Sequence, residues 1–247
     1  ATAIAQIMKY HQWPDRGVGS NTHLGQYVDF SQSVYEWEKM RDTYVEGTYS
    51  EDEAQAVAKL MSDVGNAVWM QYDYASAAQN AHIYRALYTH FKYSKKAQYV
   101  LRNTMTTAEW KRLIRQELEA GRPVYYSGLS DDLTMGHAFV CDGIDQTGNY
   151  LHFNWGWSGN CDGFYYLNML NPPNPGIGGG QGNFNADHTA IIGIEPCKGD
   201  ESGWEKQPVL ALLQYFQTLT SRTSLGKTFK TTAYSVWNFG PEQSRCH

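Results

Sequence analysis

The order of helical and strand patterns is the feature that most constrains this chain. Before Pro123 the apolar residues recur at helical spacing, whereas after it short apolar and aromatic runs are separated by turn residues. Helices followed by antiparallel strands are typical of an α+β fold, because the two kinds of element form separate layers. We therefore predict a helical N-terminal subdomain packed on an antiparallel β-sheet subdomain, with an active site in the cleft between them.

The first predicted helix covers residues 1–11. Its apolar residues recur at helical spacing, and Pro14 follows as a residue that ends a helix. No capping residue opens this helix, and Ala1 is not a methionine. We therefore expect that residues preceding Ala1 are missing from this sequence, so that a signal peptide cannot be assessed.

Three further helices are predicted in the first half. Ser50 and Glu53 have the spacing of a capping box, and Thr106 and Glu109 have the same spacing, so a helix is expected after each pair. Another helix is predicted over residues 77–91, from apolar residues at helical spacing. The apolar stripes of these helices are those of ordinary core elements.

Five strands are predicted after Pro123, at residues 124–126, 137–141, 150–155, 164–167 and 189–194. If the turn between the second and third strands centres near Gln146, antiparallel pairing places His137 opposite residues 155–157.

The chain is predicted to contain one main domain and a C-terminal extension. Residues 1–196 form the main domain, which is incomplete at its N-terminus, and residues 197–208 are polar and predicted to be a linker. Residues 209–247 contain two β-like runs, at 209–220 and 228–239. Because about 40 residues are too few to bury a core alone, this segment is predicted to be the start of a truncated β domain or a β extension.

Composition excludes several classes of function. The 20 basic and 25 acidic residues give a net charge of -5, which argues against binding to nucleic acid. No apolar run approaches the roughly 18 residues that a membrane span requires. Four cysteines without C-x-x-C spacing are too few for a disulfide framework, and their pairing stays open: Cys141, Cys161, Cys197 and Cys246.

His137 is the strongest candidate for chemistry. It follows Gly136 and precedes an apolar strand, which places the imidazole at the mouth of that strand. Strand pairing would bring it beside Asn154, Trp155 and Trp157. A side-chain amide that orients a histidine, shielded by an indole, is the support that a Cys–His pair needs. The alternative is that both tryptophans fill the core and Asn154 lies in a turn.

Other chemistries fit the sequence less well. Residues 156–159 (GWSG) lack the G-x-S-x-G spacing of a serine nucleophile, and no H-E-x-x-H zinc motif is present. The glycine-rich residues 176–182 open no helix, so a phosphate-binding loop is not expected. We predict instead that residues 176–185 form a mobile flap. No metal site and no cofactor are predicted.

Four segments together resemble the streptopain-like cysteine peptidases, a bacterial family of the papain-like superfamily. They occur in the family's order between residues 1 and about 196: 1–14 (ATAIAQIMKYHQWP), 136–143 (GHAFVCDG), 154–164 (NWGWSGNCDGF) and 178–185 (GGGQGNFN).

The resemblance implies a papain-like fold and a secreted or cell-surface cysteine endopeptidase, made as a zymogen and acting as a virulence factor. Its partners would be protein or peptide substrates and its own propeptide as inhibitor. His137 would be the general base and acid, and Asn154 and Trp155 its supporting wall. The implied substrate-binding residues are Gly136, Trp157 and Ser76.

The nucleophile of the family is absent from this sequence. Its cysteine precedes by two residues the position that matches Ala1, and the oxyanion-hole glutamine also lies upstream. Cys141 lies within an apolar strand and Cys161 in a loop without a helix start, so neither replaces it. The alternative to a cysteine endopeptidase is therefore an inactive papain-like binding domain. A metal-dependent hydrolase is the third hypothesis. The residues preceding Ala1 would distinguish the first two.

Overall fold

The computed structural model describes residues 1–73, 76–176, 179–180 and 182–199, together with the backbone of four short strands between residues 210 and 238. The chain divides into two compact units, Ala1–Gly199 and Asp200–His247. The predicted division into a main domain, a linker and a C-terminal extension stays a prediction.

The second unit contains two antiparallel strand pairs. β9 (Leu210–Leu212) pairs with β12 (Val236–Asn238), and β10 (Phe216–Thr218) pairs with β11 (Thr231–Ala233). All four strands lie within the two β-like runs of the sequence. Most of the predicted linker, and Cys246, lie outside the described residues.

The first unit begins with the helical part of the fold. Its helices are α1 (Thr2–His11), α2 (Glu51–Ala67), α3 (Asn80–His90) and α4 (Thr107–Glu119). A small hairpin of β1 (Ser20–His23) and β2 (Gln26–Asp29) lies between the first two helices. None of the helices in the described part of the chain is long and apolar enough to span a membrane.

Local capping sets two of the helix starts. The Ser50 hydroxyl accepts the N–H of Glu53, whose carboxylate accepts the N–H of Ser50, and Thr106 and Glu109 repeat this arrangement. Both capping boxes are therefore confirmed. The helix predicted over 77–91 begins instead at Asn80, because residue 77 exchanges backbone hydrogen bonds with residue 71 and is held in a β-bridge.

A six-stranded antiparallel sheet forms the second part of the unit. Its strands are β3 (Gln98–Leu101), β4 (Val124–Leu129), β5 (Gly136–Ile144), β6 (Tyr150–Asn154), β7 (Gly163–Tyr166) and β8 (Ala186–Ile192). They lie in the order β3-β8-β4-β5-β6-β7. Each of the five predicted runs overlaps one of these strands, whereas β3 was not predicted.

The sheet buries both of its faces. Alternation along β5 directs Val140 into a core shared with α1, α2 and α3, whereas Phe139 and Cys141 belong to a second core that includes Trp110 and Ile114 of α4. The α+β fold is confirmed, with helices packed on an antiparallel sheet. Because β5 contributes to both cores, its first residues are fixed from two sides, and His137 is one of them.

Candidate active site

His137 is the second residue of β5 and pairs with Gly128 of β4. The predicted hairpin of β5 and β6 is present, with Val140 paired to Asn154, so β6 ends close to the imidazole. His137 Nε2 lies 2.8 Å from the backbone oxygen of Trp155. Since a carbonyl oxygen only accepts hydrogen bonds, Nε2 carries the proton, and in the neutral ring Nδ1 is the basic nitrogen.

Aromatic rings enclose the imidazole. The Trp157 ring stacks on His137 at a centroid distance of 4.7 Å. The fully buried Trp155 ring stacks on Trp157 in turn, at a centroid distance of 5.6 Å. Phe184 lies 5.4 Å from the imidazole. Burial lowers the pKa of His137, and the hydrogen bond to the Trp155 carbonyl opposes that shift. The rings therefore favour the neutral, basic imidazole.

The N-terminal end of α1 adjoins this site. The α1 helix packs against β5, the strand that contains His137. A Cβ placed on Gly156 would lie 3.1 Å from the Thr2 side chain, so the start of α1 and the segment after β6 are in close approach. A helix N-terminus favours negative charge, and this helix lies against the strand that contains the basic imidazole.

Asn154 is a further member of the predicted site. Its Oδ1 accepts hydrogen bonds from the Gly156 N–H at 3.0 Å and from Gln6 Nε2 at 2.8 Å. The described bonds of the imidazole run instead to the Trp155 carbonyl. The described bonds of Asn154 Oδ1 do not include the imidazole, and its predicted part in orienting His137 stays a prediction.

The three predicted substrate-binding residues occupy different environments. Gly136 is exposed and directly precedes His137, while Trp157 is half-buried and stacks on the imidazole. Ser76 is exposed and precedes α3. The described contacts join Trp157 to the histidine but include none between Ser76 and the site, and binding of substrate by all three stays a prediction.

The predicted flap packs on Trp157. A Cβ at Gly176 would lie 2.5 Å from the indole, and one at Gly179 would lie 2.7 Å from it. Glycine is thus required at both positions for close approach, a role that the sequence analysis did not foresee. Residues 177, 178 and 181 of the predicted flap lie outside the described residues, and its mobility stays a prediction.

Asp162 was not predicted as a site residue, although it lies within one of the resembling segments. Its Oδ1 accepts the backbone N–H of Trp155 at 2.9 Å. Gln6 was also missed, since no local pattern relates it to Asn154, which is 148 residues away.

The cysteines of the described chain are unpaired: Cys141, Cys161 and Cys197. Cys141 is buried, and burial raises the pKa of its thiol, which opposes formation of a thiolate. Within the residues described, no group of three or more His, Cys, Asp or Glu could hold a metal ion.

The sequence model of the peptidase C10 family matches residues 1–165, which include His137, Asn154 and Trp155. The chain belongs to the peptidase C10 family. The resemblance to streptopain-like cysteine peptidases is therefore confirmed. The match ends before the glycine-rich segment, so the comparison of residues 178–185 rests on the sequence resemblance.

Two curated relatives are 38% identical to this chain. One is the thiol protease/hemagglutinin PrtT of Porphyromonas gingivalis, aligned over 96% of this chain and 28% of PrtT. The other is streptopain of Streptococcus pyogenes, aligned over 79% of this chain and 52% of streptopain. The chain thus spans about a quarter to a half of the length of these C10 relatives.

Solved structures give the same result. The active interpain A cysteine protease of Prevotella intermedia matches with a TM-score of 0.70 and 36% identity, covering 78% of this chain and 81% of interpain A. A prointerpain A fragment matches with a TM-score of 0.65, covering 61% of that chain. The predicted papain-like fold is therefore confirmed.

Proposed function

We propose that this chain is the peptidase domain of a secreted cysteine endopeptidase that cleaves proteins by a Cys–His thiolate mechanism. The nucleophile would be a cysteine two residues before Ala1. The observation that carries the proposal is the packing of α1 against the strand of His137, with Thr2 in close approach to Gly156, while His137 Nε2 is held by the Trp155 carbonyl. This arrangement leaves Nδ1 as the base beside the end of a helix that favours a thiolate.

The proposed reaction has two halves. His137 Nδ1 takes the thiol proton, the thiolate attacks the peptide carbonyl, and backbone N–H groups with the upstream glutamine stabilise the oxyanion. The imidazolium then protonates the leaving amine. In the second half, neutral His137 takes a proton from water as the water oxygen attacks the thioester; the C–S bond then breaks, which releases the acid and returns the thiolate beside the imidazolium. The aromatic rings around the imidazole support this cycle by excluding other water.

Substrate would bind along the cleft that contains His137. The exposed backbone at Gly136 suits a peptide in extended form, because an adjacent main chain can pair with it. Trp157 would form an apolar wall of the cleft, and Ser76 would contact the substrate at the helical side. We propose protein or peptide substrates, and the enzyme's own propeptide as the inhibitor of a zymogen. A fragment named prointerpain A among the similar structures supports the zymogen.

We place the proposed enzyme outside the cell or at the bacterial cell surface, where it would act as a virulence factor. The support is the resemblance to a family of exported peptidases. Mass spectrometry of the culture medium and the cell-surface fraction would test this location. Recovery of the protein only from the cell interior would contradict it.

The experiment that tests the function uses the protein with its natural residues preceding Ala1. We expect a cysteine two residues before Ala1, hydrolysis of casein and of a fluorogenic peptide, and loss of both after alkylation with iodoacetamide. A variant with alanine at that cysteine is the matched control. A natural alanine or serine there, with tight peptide binding and no hydrolysis, would favour the inactive binding domain instead.

A further inference from the structure

The backbone of Trp155 is anchored on both sides of its α-carbon. Its N–H donates to Asp162 Oδ1 at 2.9 Å, and the next N–H, that of Gly156, donates to Asn154 Oδ1 at 3.0 Å. The Gly156 N–H and the Trp155 carbonyl belong to one peptide unit, and this carbonyl accepts His137 Nε2–H at 2.8 Å. Both peptide planes that meet at Trp155 are thus fixed by carboxylate or amide oxygens.

The segment that follows needs such anchors. Gly156, Ser158, Gly159 and Cys161 all have positive φ, between 55° and 82°. Two of these residues are not glycine, so their left-handed conformation is not their local preference. A segment of this kind does not set the direction of the Trp155 carbonyl by its own backbone preferences. Hydrogen bonds at its ends have to do so.

Asp162 closes this segment from the far end. It directly precedes β7, and its N–H donates back to the Gly159 oxygen at 3.3 Å. Because a carboxylate accepts backbone N–H groups strongly, the bond to Trp155 ties the end of β6 to the start of β7. The fully buried Trp155 indole supplies the third constraint on the same residue.

We propose that Asp162 is a positioning residue for His137. By accepting the Trp155 N–H it fixes the peptide plane that precedes the Trp155 α-carbon, and so helps to direct the Trp155 carbonyl that binds Nε2–H and leaves Nδ1 as the basic nitrogen. The inference rests on the proposed function for its catalytic meaning, in which Nδ1 takes the thiol proton. Its structural content is independent of that function and concerns the tautomer of one histidine.

Two titratable neighbours of Asp162 provide a control. Asp142 on β5 and His152 on β6 lie 2.6 Å apart in a hydrogen bond, and both act electrostatically on the Asp162 carboxylate. The described bonds of Asp142 do not include the Trp155 backbone. Asp142→Ala therefore alters the charge around Asp162 and leaves the hydrogen bond under test in place.

The test reads the His137 tautomer by 15N NMR at pH 8 in the protein with its natural residues before Ala1 and alanine at the predicted nucleophile, with His137→Ala to assign the signal. We expect the Nε2–H tautomer in the wild type and in Asp142→Ala. Asp162→Ala should introduce a measurable Nδ1–H population, and Asp162→Asn should restore the wild-type spectrum, because an amide oxygen also accepts the Trp155 N–H. In the enzyme with its natural preceding residues, Asp162→Ala should lower kcat about 10-fold, since a small misplacement of the base is costly.

The opposing results are equally specific. A folded Asp162→Ala chain with an unchanged tautomer would overturn the proposal, and so would equal effects of Asp162→Ala and Asp142→Ala. If Asp162→Ala does not fold, hydrogen exchange of the wild-type Trp155 amide decides. Slow exchange supports the anchor, and exchange as fast as in an open loop contradicts it. The His137 tautomer and the exchange of the Trp155 amide can be measured in an inactive protein. Failure of this proposal is therefore distinguishable from failure of the proposed function.

Discussion

The two loops that meet at Trp157 make different kinds of contact with the imidazole site. The tryptophan loop (residues 155–162) is closed by hydrogen bonds, from Trp155 N–H to Asp162 and from Asn160 N–H to the Trp157 oxygen. The glycine loop (residues 171–185, where described) meets the Trp157 indole through Gly176 and Gly179 in van der Waals contact. Hydrogen bonds fix direction, whereas apolar contact of small residues fixes only distance.

Because of this difference, we expect the two loops to have different functions. The tryptophan loop presents a carbonyl to His137, and orientation of a base requires directional bonds. The glycine loop covers the indole that stacks on the imidazole, and its contact with that indole is not directional, so Gly176 and Gly179 can shift along the ring. We therefore expect changes in the tryptophan loop to affect the chemical step, and changes in the glycine loop to affect the handling of large substrates.

The largest effect should come from His137→Ala, which removes the group that both loops serve. Loss of a general acid and base lowers the rate by roughly 10²–10⁴-fold. Hydrolysis of a fluorogenic peptide by the enzyme with its natural preceding residues checks this. His152→Ala is the matched control, because His152 pairs with Asp142 and is not part of the imidazole site. Activity of His137→Ala within tenfold of the wild type would remove it from the mechanism.

Trp155→Ala should have the next largest effect. Removing a fully buried tryptophan costs about 3–5 kcal/mol of stability, and here it also loosens the carbonyl that holds His137. Trp110→Ala is the matched control, because Trp110 is equally buried and lies in the α4 part of the second core. We expect kcat per folded molecule to fall in Trp155→Ala alone, measured with urea unfolding curves beside kinetics. Equal losses in both variants would make Trp155 a core residue only.

Features formed by residues close in sequence were predicted correctly. The hairpin of β5 and β6 is local, so pairing from its turn placed His137 near Trp155 correctly. The capping boxes at Ser50 and Thr106 are local for the same reason. Such features depend on residues a few positions apart, and their chemistry is visible in the sequence.

Contacts between distant segments could not be predicted in this way. The Gln6–Asn154 hydrogen bond joins residues 148 positions apart, and it engages Oδ1 of the amide that we predicted beside His137. The strand β3 is short and half-polar, and its pairing with β8 depends on packing across the sheet. The contact of Gly176 with Trp157 likewise appears only in three dimensions. The glycine content of residues 176–185 predicted a mobile backbone, whereas in the structure the Trp157 indole lies too close to Gly176 and Gly179 for any side chain.

A smaller effect is expected from Gly176→Ala and Gly179→Ala. A Cβ at either position would meet the Trp157 indole at less than 3 Å, so the glycine loop has to move away. We expect kcat/KM to fall several-fold for casein and to change little for a small chromogenic peptide. Gly199→Ala is the control, because a Cβ there meets no atom within 4 Å. Equal losses for the two substrates would show that the glycine loop acts on the chemical step as well.

The smallest effect on catalysis is expected from His188, which acts on the pH dependence of stability and on the end of the glycine loop. His188 is buried, and its Nε2 donates to the Phe184 oxygen at 2.7 Å. Nδ1 accepts from Arg102 and from Tyr126, so a second proton on the ring would face a guanidinium. Burial lowers the pKa of His188 to about 4, and Arg102 adds to that shift. The folded chain thus resists the proton that the unfolded chain accepts near pH 6.5.

It follows that stability is complete above pH 6.5 and falls as the pH drops from 6.5 to 4, because in that range the unfolded state binds more protons. One pKa unit is worth about 1.4 kcal/mol, so His188 contributes at most about 3 kcal/mol to the fall. His90 is a matched case in the helical layer, with its pKa also lowered by burial to about 4. Urea unfolding at several pH values should show that the free energy of unfolding depends less on pH in both His188→Gln and His90→Gln.

Only His188→Gln should also loosen the glycine loop, because His188 holds the Phe184 carbonyl by a hydrogen bond. This would be measured as faster hydrogen exchange at the Phe184 amide. Unchanged exchange at Phe184 would mean that the loop is held from its other end, and an unchanged slope would mean that His188 titrates normally.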